Sequence, residues 1–287
     1  MKLTGLHILL TYQCTFECDH CFVWGSPWQS GTLSLRQIEG ILDQAHTAAV
    51  EEIYFEGGEP FLYYAVLLKA VELAKQRGFQ VGIVSNAYWA QTSEDAVEWL
   101  KPLAGKLADL SVSSDLYHYS EELSRQAQNA IAAARELDIP VGTISIAQPD
   151  ERDTSVMYRG RAWRELVPRT ARGTRWDRLT ECPHENLRDP GRVHLDPLGN
   201  LHICQGISLG NLFETPLAEI CAQYDAEAHP VCGPLLHGGP AALVSEYTLP
   251  HEKNYVDACH LCYEARMNLR TRFPEVLGPD QMYGVGL

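Results

Sequence analysis

Three cysteines stand close together near the start of the chain, in the stretch CTFECDHC that covers residues 14–21. Cys14, Cys18 and Cys21 have the spacing C-x3-C-x2-C, and the apolar run HILLTY leads into them. Thiolates at this spacing can surround a compact metal centre, but a structural zinc ion and a [4Fe–4S] cluster each take four ligands. If a cluster binds here, one iron has no protein ligand, so the site would bind and reduce another molecule at that iron.

The chain has nine cysteines, and its sequence contains neither a signal peptide nor an apolar run long enough to span a membrane. We therefore predict a cytoplasmic protein without a membrane partner, in which thiols stay reduced and a disulfide framework is not expected. Seven of the nine cysteines are interpreted as metal or cluster ligands. Cys221 and Cys232 are interpreted as core residues, and ligation by either of them is left open.

The net charge of −14 comes from 23 lysines and arginines against 37 acidic residues. It argues against general nucleic-acid binding, which needs a basic surface. One stretch has the opposite character, with arginines at Arg159, Arg161, Arg164, Arg169, Arg172, Arg175 and Arg178. These arginines form either a solvated helix face paired with acidic residues or a site for an anionic group.

The first half of the chain alternates short β-branched runs with amphipathic helical runs. Strands are predicted at LHILLTY, EEIYFE, FQVGIVS, LADLSVSS and PVGTISIA, and helices at SLRQIEGILDQAH, YYAVLLKAVELAKQR, SEDAVEWLKPL and SEELSRQAQNAIAAARELD. Ser34 and Gln37 predict a capping box at the first helix, and Gly78 predicts the end of the second. The alternation predicts an α/β fold with parallel strands, as a barrel or a doubly wound sheet.

Reactive groups of such folds lie at the carboxyl ends of the strands. The stretches QCTFECDHC, GGEP, NAYW, SDLYH and QPD follow the five predicted strands, so we expect them to meet at one mouth. Beyond QPD the alternation stops, and either the barrel is short or TSVMYR is its sixth strand. Further on, RVHLDPLGNLHIC predicts a β-hairpin that turns at Pro197 to Asn200, followed by a loop-rich tail.

The three-cysteine motif, followed by the aromatic Phe22 and placed after the first strand, resembles the radical S-adenosylmethionine (radical SAM) superfamily. The resemblance implies a partial (β/α)6-type TIM barrel over residues 1–165. It also implies that Cys14, Cys18 and Cys21 hold a [4Fe–4S] cluster whose fourth position is filled by SAM. Members of that family cleave SAM reductively, and the resulting 5′-deoxyadenosyl radical abstracts a hydrogen atom from the substrate.

Several later stretches resemble the SAM-binding motifs of the same family. They are GGEP after the second strand, SNA after the third, SVSSD at the fourth and GTISI at the fifth. With Phe22 and Arg161, which resembles an arginine that holds the SAM carboxylate, the implied cofactor-binding residues are Gly57, Gly58, Glu59, Pro60, Ser85, Asn86, Ser113, Asp115 and Ile144. For Ser85, Asn86 and Ser113 the alternative interpretation is hydrogen bonding at the strand ends.

The second half resembles the SPASM and twitch group of radical SAM enzymes, through GRA at residues 160–162 and the hairpin with LGNLFETPLAEI. The resemblance implies that residues 166–287 form a β-hairpin and loop extension with an auxiliary [4Fe–4S] cluster on Cys182, Cys204, Cys259 and Cys262. A full SPASM domain has more cysteines after Cys262, so the shorter twitch arrangement fits better. A structural zinc ion on the same four thiols is the alternative.

Candidate catalytic residues follow the fourth strand, where Asp115, Tyr117 and His118 could take or deliver a proton. The alternative for His118 is a structural hydrogen bond to Asp115 or to the next helix. The resemblance implies an oxidoreductase or maturase that receives electrons from a donor such as flavodoxin or ferredoxin.

The favoured substrate is a ribosomally made peptide, and the alternative is a small metabolite such as a sugar, nucleoside or cofactor precursor. Because the first predicted strand lies at the start of the sequence, a peptide would need a separate leader-binding protein or would bind without one. Two alternative classes of protein are a zinc-stabilised binding module and an activase for a glycyl-radical enzyme. Such activases keep their extra cysteines near the first motif, whereas here they lie towards the C-terminus.

Overall fold

The computed structural model describes residues 1–113, 121–144 and 156–286. Five strands of the first half are β1 (Gly5–Thr11), β2 (Glu52–Gly57), β3 (Gln80–Ser85), β4 (Asp109–Ser113) and β5 (Val141–Ile144). The later strands are β6 (Thr174–Arg175), β7 (Arg192–Leu195), β8 (Asn200–Cys204), β9 (Ile207–Asn211) and β10 (Asn254–Tyr255). All five strands predicted for the first half are therefore present.

The helices of the first half are α1 (Leu35–Thr47), α2 (Tyr64–Gln76), α3 (Ser93–Leu100) and α4 (Glu121–Glu136). The later ones are α5 (Arg161–Glu165), α6 (Leu217–Gln223), α7 (Cys232–Tyr247) and α8 (Ala258–Leu269). The capping box of Ser34 and Gln37 is formed, and Gly78 follows α2 with a left-handed φ of 87°. None of the helices in the described residues has the length and hydrophobicity that a membrane crossing requires.

Eight of the strands form one sheet in the order β5-β4-β3-β2-β1-β7-β8-β9. Strands β1 to β5 pair in parallel, and β7 pairs in parallel with the other edge of β1. The predicted hairpin is present as antiparallel β7 and β8, with its turn in the predicted place. The α/β prediction is confirmed, and the sheet is open among the described residues.

The described residues decide two points that the sequence left open for the second half. Val156–Arg159, the described part of TSVMYR, is not a strand, so the sixth strand is not found there. The hairpin does not stand apart from the barrel sheet, because β7 extends that sheet beside β1. The division at residue 165/166 therefore stays a prediction, and the sheet crosses it.

Side chains of β1 alternate between two hydrophobic layers, as the period of a strand requires. Leu6, Ile8 and Leu10 belong to the larger core, which includes apolar residues of α1 to α4. Leu9 points the other way and belongs to a second core with residues of α7 and α8. Strand β1 thus lies between the helical layer and the C-terminal segment, and its carboxyl end leads directly into the cysteine motif.

Candidate active site

The carboxyl ends of the parallel strands border a cavity of about 250 Å³, here called the first cavity. Its lining includes ten of the residues predicted for cluster or SAM binding: Cys14, Cys18, Cys21, Phe22, Gly57, Gly58, Ser85, Asn86, Ser113 and Ile144. The structure therefore brings residues from five strand ends to one mouth. Their roles as ligands of a cofactor stay predictions.

The cysteine loop is held by its own backbone and by Arg161. Cys21 donates its N–H to the carbonyl of Cys18, and Gly25 donates to Cys21 Sγ at 3.2 Å. The guanidinium of Arg161 is buried and donates to the carbonyl oxygens of Cys18 and Gly25, at 3.0 and 2.8 Å. Arg161 thus stabilises the cysteine loop without lining the cavity. Arg159, two residues earlier, is the arginine among the lining residues. The predicted contact of Arg161 with SAM remains untested.

Gly57 and Gly58 let the GGEP segment pack closely against the strand that leads into the cysteines. A Cβ atom on Gly57 would lie 2.4 Å from the carbonyl oxygen of Thr11, and one on Gly58 would lie 2.0 Å from that of Gln13. Gly57 also has a φ of 144°, which other residues rarely adopt. The two glycines therefore set the spacing between the first and second motifs, in addition to lining the cavity.

Glu59 is fully buried and joins the second motif to the third. Its carboxylate accepts hydrogen bonds from Phe61 N–H at 3.0 Å, the Ser85 hydroxyl at 3.0 Å and Asn86 N–H at 2.8 Å. Burial raises the pKa of Glu59 to about 7, although these three donors act in the opposite direction. Glu59 is not among the described residues that line the cavity. Its hydrogen bonds instead hold the GGEP segment against the SNA segment. Pro60, also buried, begins the short helical turn that follows.

Asn86 extends this support to the first cysteine. Its side-chain amide donates to Thr15 Oγ1 at 3.0 Å and lies 3.5 Å from Cys14 Sγ. Burial raises the pKa of the Cys14 thiol to about 12, with the nearby Glu59 adding to the effect. Without a metal centre the thiol is therefore protonated, and binding a cluster would release its proton.

The other four predicted ligands line a second cavity of about 20 Å³. Cys182 comes from the segment before β7, Cys204 ends β8, and Cys259 and Cys262 lie in the first turns of α8. Spacing by three residues puts the two helical cysteines on one face of α8. Cys221 and Cys232 are buried in the two hydrophobic cores, as interpreted from the sequence, and are absent from the described lining of this cavity.

Two buried arginines border the second cavity. Arg266, on α8, donates to the carbonyl oxygen of Gln205 at 2.5 Å. Arg159 donates to Cys204 Sγ at 2.8 Å and forms an ion pair with Glu185 at 3.2 Å. Burial alone would lower the pKa of Arg159, but the surrounding thiols and Glu185 outweigh burial and raise it. Both cations would offset the negative charge of four thiolates.

Arg159 lines both cavities and so connects the two groups of cysteines. The sequence presented it only as one of seven clustered arginines, and the structure separates that group. Arg159 and Arg161 are buried, whereas Arg164 and Arg169 lie at the surface in ion pairs with Glu165 and Asp19. The seven arginines therefore do not form one anion-binding face.

A second feature that sequence reasoning missed is a buried network under the cysteine loop. Asp196, fully buried at the hairpin turn, accepts a hydrogen bond from the Tyr12 hydroxyl at 2.9 Å and lies 3.0 Å from His202 Nε2. Tyr12 precedes the first motif by two residues, so this network ties the hairpin to the cysteine loop. The only signal in the sequence was the hairpin itself.

The candidate catalytic residues Asp115, Tyr117 and His118 lie outside the described residues.

The donor sets of the two cavities fit iron–sulfur centres with different coordination. The first offers three thiols from one loop, with open space and glycine backbone beside them. The second offers four thiols and little additional space. A [4Fe–4S] cluster with one position left for SAM fits the first, and a metal centre ligated wholly by protein fits the second.

Comparisons with known proteins agree with the interpretation of the first cavity as a site for a cluster and SAM. The profile of the Radical SAM superfamily matches residues 8–157. YydG of Bacillus subtilis (strain 168), whose name is that of a peptide biosynthesis protein, is 22% identical over 250 residues, which cover 86% of this chain and 74% of YydG. MJ1632 of Methanocaldococcus jannaschii, named for glycyl-radical enzyme activation, is 30% identical over 99 residues, only 34% of this chain and 38% of its own length.

Two solved structures share the fold. BtrN, in complex with AdoMet and 2-DOIA, has a TM-score of 0.52 at 14% identity and covers 77% of this chain and 83% of BtrN. The enzyme anSMEcpe, with bound AdoMet and the Cp18Cys peptide, has a TM-score of 0.50 at 11% identity and covers 93% of this chain and 96% of its own. Since the family profile spans more than half of the sequence and includes all three cysteines of the first motif, this chain is an enzyme of the radical SAM superfamily.

Proposed function

We propose that this enzyme cleaves SAM reductively in the first cavity and abstracts a hydrogen atom from a peptide. The observation that carries the proposal is the open space of about 250 Å³ beside three thiols that leave one position of a [4Fe–4S] cluster without a protein ligand. When bound, the cluster would supply the electron for cleavage of SAM to methionine and a 5′-deoxyadenosyl radical, which would take a hydrogen atom from the substrate to give 5′-deoxyadenosine.

The residues of the chain would bind, orient and shield the reactants. Gly57 and Gly58 would offer backbone groups to the methionine part of SAM, and Ser113 and Ile144, which line the same cavity, would contact its ribose and adenine. Phe22 and Val84 add apolar surface to the same lining, which would keep water from the radical. Holding reacting atoms in position is the main contribution a protein makes to such chemistry.

The peptide substrate is supported by the similarity to YydG, which covers 86% of this chain. The alternative substrate is a small metabolite, and the substrate test described below distinguishes it from a peptide. Asp115, Tyr117 and His118 would manage a proton at the mouth of the cavity. A cytoplasmic location and a flavodoxin or ferredoxin as the electron donor complete the proposal, with the peptide bound either through a separate leader-binding protein or without one.

The second cavity is proposed to hold an auxiliary [4Fe–4S] cluster on Cys182, Cys204, Cys259 and Cys262, within an extension from residue 166 onwards. The four thiols that border it and the adjacent Arg159 support this proposal. Such a cluster would relay electrons from the substrate radical or stabilise the extension. Iron analysis of reconstituted protein should give about eight irons per chain, whereas zinc at the same thiols would lower that value to about four.

The test of SAM cleavage uses anaerobically reconstituted protein, SAM and dithionite. We expect 5′-deoxyadenosine from the wild type and only background from the variant Cys14→Ala/Cys18→Ala/Cys21→Ala. Cys221→Ala, in the core behind α1, is the matched cysteine control and should retain cleavage. Equal product from the triple variant would disprove the assignment of this cavity.

The substrate test uses a short peptide encoded beside the gene for this enzyme. Its mass should fall by two hydrogens if a crosslink forms, or rise by one unit in D₂O if a centre is epimerised. An unchanged peptide, together with a metabolite consumed in step with 5′-deoxyadenosine, would exclude the peptide substrate while leaving SAM cleavage intact.

A further inference from the structure

Three ligand-bearing side chains converge on the sheet face opposite the α1–α4 layer, beside the first cavity. His7 of β1, Glu56 of β2 and His194 of β7 each direct one ligand atom to a common point, and these atoms lie within 4.8 Å of one another. Glu56 also lines the first cavity. The cluster exists only because β7 pairs beside β1, which puts His194 opposite His7 in the strand register.

The contacts within this cluster are short but are not aligned as hydrogen bonds. His7 Nδ1 lies 3.4 Å from Glu56 Oε2, and His194 Nε2 lies 3.2 Å from Glu56 Oε1. Yet His7 Nδ1 and Glu56 Oε1 are buried and have no hydrogen-bond partner among the described residues. Glu56 is only 9% exposed, and a buried acceptor without a partner destabilises the folded protein. A bound group that satisfies all three side chains would remove this cost.

The distances match those between ligands of one metal ion. In a tetrahedral zinc site with bonds of about 2.0–2.1 Å, neighbouring ligand atoms are about 3.3 Å apart. Two imidazoles and one carboxylate are a donor set that binds Zn²⁺, Fe²⁺ or Mn²⁺.

Neighbouring aromatic rings hold both imidazoles in place. Tyr54 stacks on His7 with ring centres 4.7 Å apart, and Phe22 packs edge-on against His194 at 5.9 Å. The position of Tyr54 depends on Gly82, since a Cβ atom there would lie 2.3 Å from the tyrosine ring. Fixed ligand orientations favour metal binding because little conformational freedom remains to be lost.

We propose that His7, Glu56 and His194 form a binding site for one divalent transition-metal ion of the zinc class. Three protein ligands leave one coordination position open, as in catalytic zinc sites. Because Glu56 borders the first cavity, that position is accessible to an oxygen or nitrogen group of the substrate. The metal ion would anchor the substrate beside SAM, a role that goes beyond SAM cleavage and is independent of it.

The test uses enzyme with its iron–sulfur centres reconstituted, dialysed anaerobically against buffered Zn²⁺ and analysed for zinc and iron. We expect one zinc per chain in addition to the full iron content. X-ray absorption at the zinc edge should give only nitrogen and oxygen ligands at about 2.0–2.1 Å, whereas zinc at cysteines would give sulfur at about 2.3 Å. Glu56→Gln and His194→Ala should each weaken zinc binding at least about tenfold, since each removes a ligand.

His237→Ala is the matched control. His237 contacts Glu227 at 2.6 Å at the surface, and among the described residues no third ligand-bearing side chain joins this pair. This substitution should leave the zinc content unchanged. The proposal is wrong if wild-type enzyme retains no zinc, if the zinc has a sulfur shell, or if Glu56→Gln binds zinc as tightly as the wild type. Any of these results would leave the three side chains as an ion-paired cluster and would not affect the assignment of SAM cleavage.

Discussion

The two cysteine-lined cavities differ in where their thiols come from and in the space beside them. All three thiols of the first belong to one short loop, and the cavity next to them measures about 250 Å³. The four thiols of the second come from three separate parts of the chain, and the cavity between them measures about 20 Å³. The first arrangement has room for a reactant beside its thiols, whereas the second has little space beyond what its four thiols surround.

The number of protein ligands at each metal site is thus related to the space left for another molecule beside it. The three cysteines of the first cavity are already close together in the sequence, and they leave a ligand position on the open side of their loop. Four cysteines from separate segments meet only after the hairpin and α8 have packed, so their centre contributes to folding as well as to chemistry. Arg159 is the described residue that lines both cavities. A change of charge at either centre would therefore act on the other through this guanidinium.

The largest expected effect comes from removing one thiol from each cavity. Cys18→Ala should lower dithionite-driven SAM cleavage by at least about 1000-fold, because the cluster that reduces SAM loses a ligand. Cys259→Ala should change uncoupled SAM cleavage by less than about tenfold while abolishing substrate turnover. Quantifying 5′-deoxyadenosine and product in both variants checks this. Equal loss of cleavage in the two variants would show that the cavities do not function separately.

A second test disturbs the packing behind each cavity without touching a cysteine. Gly58→Ala would put a Cβ atom 2.0 Å from Gln13 O, and Gly239→Ala would put one 2.2 Å from Glu181 N, next to Cys182. Each substitution should destabilise the fold by about 3 kcal/mol and lower the iron content of its own cavity. Gly142→Ala, with open space around its Cβ position, is the control. Unfolding midpoints and iron analysis measure both effects, and wild-type values for Gly58→Ala would contradict the packing argument.

Arg159 tests whether the two cavities are coupled. Arg159→Met removes the donor to Cys204 Sγ and leaves Glu185 without its buried partner, which should cost about 3 kcal/mol. Loss of this positive charge should also lower the reduction potential of a centre in the second cavity more than that of the first. Anaerobic redox titration followed by EPR measures the potentials. Arg188→Met, which breaks an exposed ion pair with Glu227, should change neither property. An unchanged potential in Arg159→Met would argue against coupling through this residue.

The smallest effect concerns the buried carboxyl that supports only the first cavity. The pKa of Glu59 is raised from 4.5 to about 7, so the folded protein retains a proton that the unfolded chain has already released. Stability from this group is full below pH 4.5 and is lost as the pH rises towards 7, by about 1.4 kcal/mol per pH unit.

Glu59→Gln should remove that slope, as measured by urea unfolding at pH 5.5, 6.2 and 7 under anaerobic conditions. Glu98→Gln, at an exposed position, should keep the slope of the wild type. If Glu59→Gln also keeps it, Glu59 is ionised throughout this range in the folded protein.

Much of the first half was predictable because its signals are local. The capping box of Ser34 and Gln37 and the turn at Gly78 depend on neighbouring residues only, so the bounds of α1 and α2 follow from the sequence. Of the two alternatives that the sequence left open, a sixth strand at TSVMYR is not found over its described residues 156–159, which pack into a small apolar cluster without strand pairing. Composition could not decide this, since pairing depends on which strand is available in space.

The sequence by itself determined the strands and helices of the first half, the three-thiol motif and the candidate residues after each strand, because these depend on local period and spacing. Only the tertiary structure decided that β7 pairs beside β1, that Arg159 reaches both cavities while Arg161 supports the cysteine loop, and that His7, Glu56 and His194 meet. These are contacts between segments far apart in the chain. Their partners are selected by packing and burial in the folded molecule, which no local pattern of residues encodes.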